Sequence, residues 1–202
     1  MRTRTFSEEE KDQIRKQMIE AGLPLLKEHG MLHMSITKLT AAAGIGKSTF
    51  YNFYASKEEF VEDMLKYHRR KIMEQMKSGR RGEEKYSKQE AKNLLHKLII
   101  EANNLYANFS MEDEIALKNL HEKNGTQYLN LEHEKNIIQS ITSHMEGVKA
   151  DLDYAVISNL MKIIVFTSEQ RALLHPEGYE TSMDMLFHLL LDNIFEDEEK
   201  LV

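Results

Sequence analysis

The stretch SITKLTAAAGIGKSTFYNFYASK, residues 35–57, decides the fold predicted for this chain. Its pattern predicts two short helices joined by a tight turn at Gly44, with a further helix starting near Lys57. The second short helix, about Lys47 to Phe53, carries lysine, serine, threonine, tyrosine and asparagine in place of an apolar face. Small polar and cationic side chains there favour a contact surface over a packing surface. We therefore predict a helix-turn-helix that enters a DNA groove.

Helix boundaries elsewhere follow from local signals. Four capping boxes predict helix starts, and their residue pairs are Ser7 with Glu10, Ser56 with Glu59, Ser87 with Glu90, and Ser110 with Asp113. Glycines predict helix ends at Gly30, near Gly125 and at Gly147. Pro24 is expected to kink the first helix. With only 2 prolines and 9 glycines in 202 residues, the sequence predicts an all-α fold.

The same signals divide the chain. A polar, glycine-containing segment over residues 77–88 predicts a domain boundary. We assign residues 7–67 to an N-terminal three-helix domain with the helix-turn-helix at 35–54, residues 68–88 to the end of helix 4 and a linker, and residues 89–195 to a second helical domain.

Composition excludes several classes of protein. There is no cysteine, which excludes disulfides, thiol nucleophiles and cysteine metal sites. No run of residues is apolar enough for a membrane span, and the start MRTRTFSEEE is no signal peptide. The expected location is the cytoplasm, with no membrane partner.

Charge is unevenly distributed, although the net charge is −6. Residues 1–81 carry 16 Lys and Arg against 11 Asp and Glu, or +5, whereas residues 82–202 carry 11 against 22, or −11. The basic half can approach phosphates and the acidic half is repelled by them.

The last two predicted helices, within residues 152–174 and 179–195, are apolar on all sides. A helix of that kind must be buried on all sides, which terminal helices of a small domain rarely achieve within one chain. We predict a homodimer formed through residues 152–195, as a four-helix arrangement about a two-fold axis.

Residues 35–60 resemble the DNA-binding segment of TetR-type transcriptional regulators. The matching residues are Ser35, Ile36, Leu39, Ala43, Gly44, Ile45, Thr49, Tyr51, Phe53, Tyr54, Lys57 and Phe60. The recognisable part covers about residues 7–67, and the rest matches only in helix number and length. The sequence departs from the family pattern at Thr40, where alanine is usual, at Gly46, where serine often caps the helix, at Ser48, where glycine is common, and at Tyr54, where phenylalanine is more common.

The resemblance implies roles for individual residues. Lys47, Ser48, Thr49 and Asn52 would meet bases or nearby phosphates in the major groove. The Tyr51 hydroxyl and the Lys57 ammonium would meet phosphates, Lys57 together with the amides at the start of its helix. Ser35 would do the same at the start of the second helix.

The resemblance also implies a function: a ligand-responsive repressor that a small molecule releases from a palindromic operator in double-stranded DNA. The second domain would then bind the unknown effector and form the dimer. Tyr106, Phe109, Tyr128 and Phe166 are its candidate pocket residues, although for each of them taken alone plain core packing is the better explanation.

Rival interpretations of the same residues are weaker. The string GIGKST resembles a phosphate-binding loop, but the first glycine of that motif is replaced by Ala41, and the preceding residues are expected to be helical and not a strand. The 9 histidines show no metal-ligand spacing, and no cofactor or catalytic arrangement is expected. A helical adaptor that binds proteins, and less plausibly an enzyme, stay open as alternatives.

Overall fold

The computed structural model describes residues 6–78, 84–101 and 109–196, and within these ranges its regular secondary structure is helical. The α-helices are α1 (Glu8–His33), α2 (Ile36–Ala42), α3 (Lys47–Phe53), α4 (Lys57–Ser78), α5 (Lys88–His96), α6 (Met111–Lys123), α7 (Leu131–Thr142), α8 (Tyr154–Glu169) and α9 (Pro176–Ile194). A π-helical turn, Lys97–Glu101, extends α5, and a 3-10 turn, Arg171–Leu173, follows α8. The predicted all-α fold is confirmed.

The ends of α1 show how local signals set the helices. The Ser7 side chain accepts a hydrogen bond from the Glu10 amide, and the Glu10 carboxylate accepts one from Ser7 in return. The backbone stays helical through Pro24 and breaks at Gly30, where φ is 69° and ψ is 178°. The non-helical backbone of α1 lies at Gly30, because only glycine adopts this conformation readily, whereas the kink expected at Pro24 stays a prediction.

The helix-turn-helix forms as predicted. The Ser35 hydroxyl caps α2 by accepting the Lys38 amide at 3.4 Å. Gly44 then turns the chain with a φ of 67°, and the Ile45 amide donates to the Thr40 carbonyl at 2.9 Å. The helix that follows has the predicted bounds, Lys47–Phe53.

The chain forms two compact units. The first contains the described residues up to Lys71 together with those of 105–128, so that α6 belongs to it. Its core contains Met18, Leu39, Phe50, Phe60 and Leu117, all fully or almost fully buried. Gly22 lets α1 approach α4 closely, since a Cβ atom there would lie only 2.8 Å from Cζ of Phe60.

The second unit contains the described residues of 72–104 and 129–202. Its core is built by α5, α7, α8 and α9 around side chains that include Leu95, Ile138, Ile164, Phe187 and Leu190. The predicted end of the seventh helix was wrong. This helix stops at Thr142. Gly147 lies beyond it, between Met145, which pairs with Tyr86, and Val148, which pairs with Phe195.

These units divide the chain differently from the boundaries predicted at residues 67 and 89. Residues 109–128, assigned from sequence to the second domain, pack on the N-terminal helices. The functional domain boundaries at residues 67 and 89 stay predictions. In the part of the chain that the structure describes, no helix has the length and apolarity needed to cross a bilayer.

Candidate nucleic-acid interface

The outer face of α3 is polar and accessible. Lys47, Ser48 and Asn52 are exposed, Thr49 is partly buried, and the Tyr51 side chain is 57% exposed. Residues four apart on a helix lie about 5–6 Å from each other, so Lys47 and Tyr51 are neighbours, as are Ser48 and Asn52. The helix therefore presents two adjacent pairs of hydrogen-bonding side chains on one short surface.

The inner face of α3 is aromatic and rigid. Phe50 is fully buried and lies edge-to-face against Phe60 of α4, with ring centroids 5.5 Å apart. Tyr54, directly after α3, meets Phe60 in the same way at 5.1 Å. The ring of Tyr51 rests edge-on against Phe50 at 5.3 Å, which steadies it while its hydroxyl end stays outside. Aromatic pairs of this geometry hold a helix in a defined orientation.

A charged network joins α1, α3 and α4 beneath this surface. Nε of Arg15 donates to Oδ2 of Asp63 at 2.7 Å, and a second guanidinium nitrogen bonds the other carboxylate oxygen. The Tyr54 hydroxyl donates to the same Oδ2 at 2.7 Å. The structure thus explains the tyrosine found where phenylalanine is more common, because its hydroxyl completes this network.

The pKa shifts of Asp63 and Tyr54 agree with the hydrogen bonds of this network. Burial by itself would raise the pKa of Asp63, but the hydrogen bonds from Arg15 and Tyr54 outweigh it and hold that pKa below its ordinary value. Burial, followed by the hydrogen bond to Asp63, raises the pKa of the Tyr54 hydroxyl. At neutral pH the carboxylate is therefore ionised and the phenol protonated, which is the pairing that the geometry requires.

Lys57 has an arrangement that the sequence did not predict. It begins α4, as expected, but its Nζ donates to the carbonyl of Leu32 at 2.6 Å and to that of Met34 at 3.4 Å. An ammonium has three donors, so one remains for a phosphate. Nearby, Ser56 caps α4 by accepting the Glu59 amide at 3.2 Å, and the Glu59 carboxylate accepts the Ala55 amide at 2.7 Å.

Two other departures from the family pattern, Thr40 and Gly46, lie on either side of the turn at Gly44. The Thr40 hydroxyl is buried and donates to the Ile36 carbonyl at 2.9 Å, so it costs no unpaired polar atom. Gly46 stands at the N-cap of α3 without a side-chain hydrogen bond. An open notch of about 410 Å³ separates Gly44, Gly46 and Thr49 from Gln13 and Gln17 of α1. It leaves the first turn of α3 open to a partner.

Helix α6 makes two polar contacts with the N-terminal helices. The carboxylate of Asp113 accepts the amides of Leu32 at 2.7 Å and Met31 at 3.3 Å, at the end of α1. Further along α6, Nε2 of His121 lies 3.0 Å from Oε2 of Glu62 in α4. These contacts, like that of Arg15 with Asp63, join residues 48 to 82 positions apart, and no local pattern revealed them.

Those of the predicted pocket residues that the structure describes belong to both units, and their role stays a prediction. Tyr106 lies outside the described residues. Phe109 and Tyr128 pack in the first unit, where the Tyr128 hydroxyl bonds the Glu114 carboxylate, while Phe166 is half-exposed on α8. A cavity of about 620 Å³ in the second unit is lined instead by residues such as Gln139, Ser143, Lys149, Leu152 and Tyr154. No grouping of three or more metal-ligating side chains occurs among the described residues.

Comparison with known proteins agrees with the geometry of α2 and α3. Residues 18–64 match the family model described as bacterial regulatory proteins, tetR family. No curated protein matches the chain.

Several solved structures share the fold. A TetR transcription regulator from Haloarcula marismortui is 16% identical, with a TM-score of 0.56 over 92% of this chain and 100% of that one. A TetR-family transcriptional regulator from Haemophilus influenzae is 16% identical, with a TM-score of 0.51 over 92% and 98% of the two chains. A transcriptional regulator from Rhodococcus is 15% identical, with a TM-score of 0.50 over 89% and 97%. At these identities the likeness shows the fold.

Proposed function

We propose that this chain is a ligand-responsive transcriptional repressor of the TetR type, because residues 18–64 match the family model of bacterial regulatory proteins, tetR family. In this proposal a homodimer binds a palindromic operator in the cytoplasm and leaves it when a small molecule binds. The observation that carries the proposal is the accessible polar face of α3, held from beneath by buried aromatic rings.

Each polar residue of this surface has a proposed task. Lys47, Ser48, Thr49 and Asn52 meet base edges or adjacent phosphates in the major groove, where amide and ammonium groups distinguish purines. The Tyr51 hydroxyl donates to a phosphate, and so does the free N–H of Lys57. Ser35, at the start of α2, makes a further phosphate contact. Phosphate contacts set the position of α3 and base contacts set its sequence preference.

Dimerisation is supported by the outer surfaces of α8 and α9. Ile163 and Phe166 on α8 are 46% and 49% exposed, and Met185 and Leu189 on α9 are 68% and 49% exposed. The opposite face of α9 is buried through Met183, Phe187, Leu190 and other side chains of the second core. Both helices thus expose apolar side chains away from the core, on α9 beside polar ones such as Asp184 and Asp192, and these apolar side chains form a patch that a second copy would cover.

Release by a small molecule requires the effector to distinguish two states of the protein. A ligand that bound the DNA-competent and the DNA-free state equally would shift nothing. A tenfold loss of operator affinity needs about 1.4 kcal/mol of coupling. The second unit is where we place the effector, without assigning its pocket.

The test is selection of DNA from a random-sequence library with the full chain, followed by binding measurements over a range of salt concentrations. We expect a palindrome whose half-sites lie about 34–36 Å apart, one helical turn, because two copies of α3 would enter successive major grooves. We also expect the logarithm of the affinity to fall steeply and linearly with the logarithm of the salt concentration. Recovery of no enriched sequence, with no salt-dependent binding, would favour the helical adaptor instead.

A further inference from the structure

The segment Met31–Met34, which is the last turn of α1 and the residue after it, is held from two sides by hydrogen bonds. The Leu32 amide donates to Oδ1 of Asp113 on α6 at 2.7 Å, and the Leu32 carbonyl accepts from Nζ of Lys57 on α4 at 2.6 Å. One residue of the segment therefore links a carboxylate on one helix to an ammonium on another. Met31 and Met34 add weaker bonds of the same two kinds, at 3.3 and 3.4 Å.

Asp113 is fixed in place more firmly than a surface carboxylate. It is only 2% exposed, and a buried carboxylate is costly unless donors surround it. Three backbone amides supply them, since Oδ2 accepts from Ser110 at 2.9 Å as well as from Met31, and Oδ1 accepts from Leu32. The carboxylate thus ties the start of α6 to the end of α1.

Lys57 depends on this segment for its side-chain position. A free lysine explores many rotamers, and holding one of them for a phosphate costs entropy. The carbonyls of Leu32 and Met34 already hold the ammonium, so that cost falls on folding and not on DNA binding. The hydrogen bond from the Leu32 amide to Asp113 fixes the backbone at Leu32, and with it the direction of the carbonyl that holds Lys57.

We propose that Asp113 is a positioning residue for DNA binding. It fixes the backbone at Leu32, and the Leu32 carbonyl in turn holds the Lys57 ammonium in place for an operator phosphate. The inference rests on the proposed function, because it needs a phosphate at Lys57. It assigns to α6, outside the helix-turn-helix, a direct influence on one phosphate contact per subunit.

The experiment is a double-mutant cycle on the full chain, with the DNA site selected as described above. Asp113→Asn removes one of the two accepting oxygens, and Lys57→Gln removes the ammonium. We expect Asp113→Asn to weaken binding about 10-fold and to reduce the salt slope by about 0.9 per subunit, the value for one lost phosphate contact. In the Lys57→Gln background the same change should have almost no effect.

Glu112→Gln is the matched control, because it removes the same charge from the neighbouring, exposed position of α6. It should leave both the affinity and the salt slope close to those of the unmodified chain. Equal weakening by Asp113→Asn in both backgrounds, with an unchanged slope, would overturn the inference and reduce Asp113 to a structural cap.

Hydrogen exchange of the unmodified protein gives a test that does not depend on the folding of any variant. The Leu32 amide should exchange its hydrogen with solvent slowly, as a bonded amide does. Rapid exchange in the unmodified chain would overturn the inference by itself. If that chain binds no selected DNA, the proposed function fails; if it binds DNA but the two substitutions act additively, only the role of Asp113 fails.

Discussion

The exposed faces of α3 and α9 differ in a way that separates their expected partners. On α3 the accessible side chains are those of Lys47, Ser48, Tyr51 and Asn52, and Phe50 points inward. On α9 Met185 and Leu189 are accessible although the opposite face of the helix is already buried in a core. Exposing the polar surface of α3 to water costs little free energy, whereas exposing the apolar side chains of α9 is unfavourable. A polar surface held in a fixed orientation suits a charged groove, and an apolar one suits a second copy of the chain.

The largest expected effect concerns the exposed apolar side chains of α9. Leu189→Asp would place two carboxylates, one from each subunit, in the proposed interface, where desolvation costs several kcal/mol per ion. We expect the dimer dissociation constant to rise at least about 100-fold, equivalent to about 2.8 kcal/mol. Sedimentation over a range of concentrations measures it. Asp184→Lys, at the margin of the exposed face of α9, is the control, and equal behaviour of the two variants would remove Leu189 from the interface.

The next effect concerns the network that supports the polar side. Asp63→Asn leaves Arg15 and Tyr54 without their charged acceptor, and we expect a loss of about 2 kcal/mol in unfolding free energy at neutral pH, measured by denaturant titration. The folded-state pKa of Asp63 lies below its unfolded value, so its contribution is complete above the ordinary carboxyl range near pH 3.9.

That contribution should disappear as the pH falls through the lower pKa of the folded state, and the stabilities of the two proteins should then converge. Asp12→Asn, at an exposed position of α1, is the control and should change little. A stability difference for Asp63→Asn that stays constant down to pH 2 would contradict the ionic character of the network.

A somewhat smaller effect tests the packing beneath α3. Gly22→Ala adds a methyl group 2.8 Å from Cζ of Phe60 and 3.0 Å from Sδ of Met64. Overpacking costs about 1–3 kcal/mol, and the better helix propensity of alanine returns up to about 1 kcal/mol, so we expect a net loss of about 1 kcal/mol. Thermal unfolding measures it. Gly178→Ala on α9, with open space around the added atom, should be neutral or slightly stabilising.

The smallest expected effect tests the polar surface of α3 itself. Asn52→Ala should cost about 1 kcal/mol on the selected site and relax the preference at one base position, because a base contact is lost. Lys57→Gln should instead weaken binding to all sequences alike. Repeating the DNA selection with each variant distinguishes them. Uniform weakening by Asn52→Ala would reassign that residue to the phosphate backbone.

The sequence predicted those parts of the fold that depend on neighbours in the chain. The capping pairs at Ser7, Ser87 and Ser110 involve residues three positions apart, and all three formed. The bounds of α3 and the turn at Gly44 also depend only on local backbone preferences, and both were right.

Contacts between distant residues were beyond a single sequence. Nothing in the order of residues shows that Asp113 meets the end of α1, or that Lys57 is held by carbonyls before any DNA is present. One signal was accessible: Tyr54 places a hydroxyl at a position that must be buried, and a buried hydroxyl needs a partner. Searching for that partner would have suggested a carboxylate one or two turns into α4, where Asp63 lies.

Gly30 has a consequence for which sequences can replace this one. With φ at 69° and ψ at 178°, its backbone lies in a region that is essentially closed to every residue with a Cβ atom. In a library that randomised each glycine and retained only folded chains, position 30 should accept no other amino acid, whereas position 178 should accept many. A position that so strictly limits its own variation lies five residues before Ser35, where the helix-turn-helix begins.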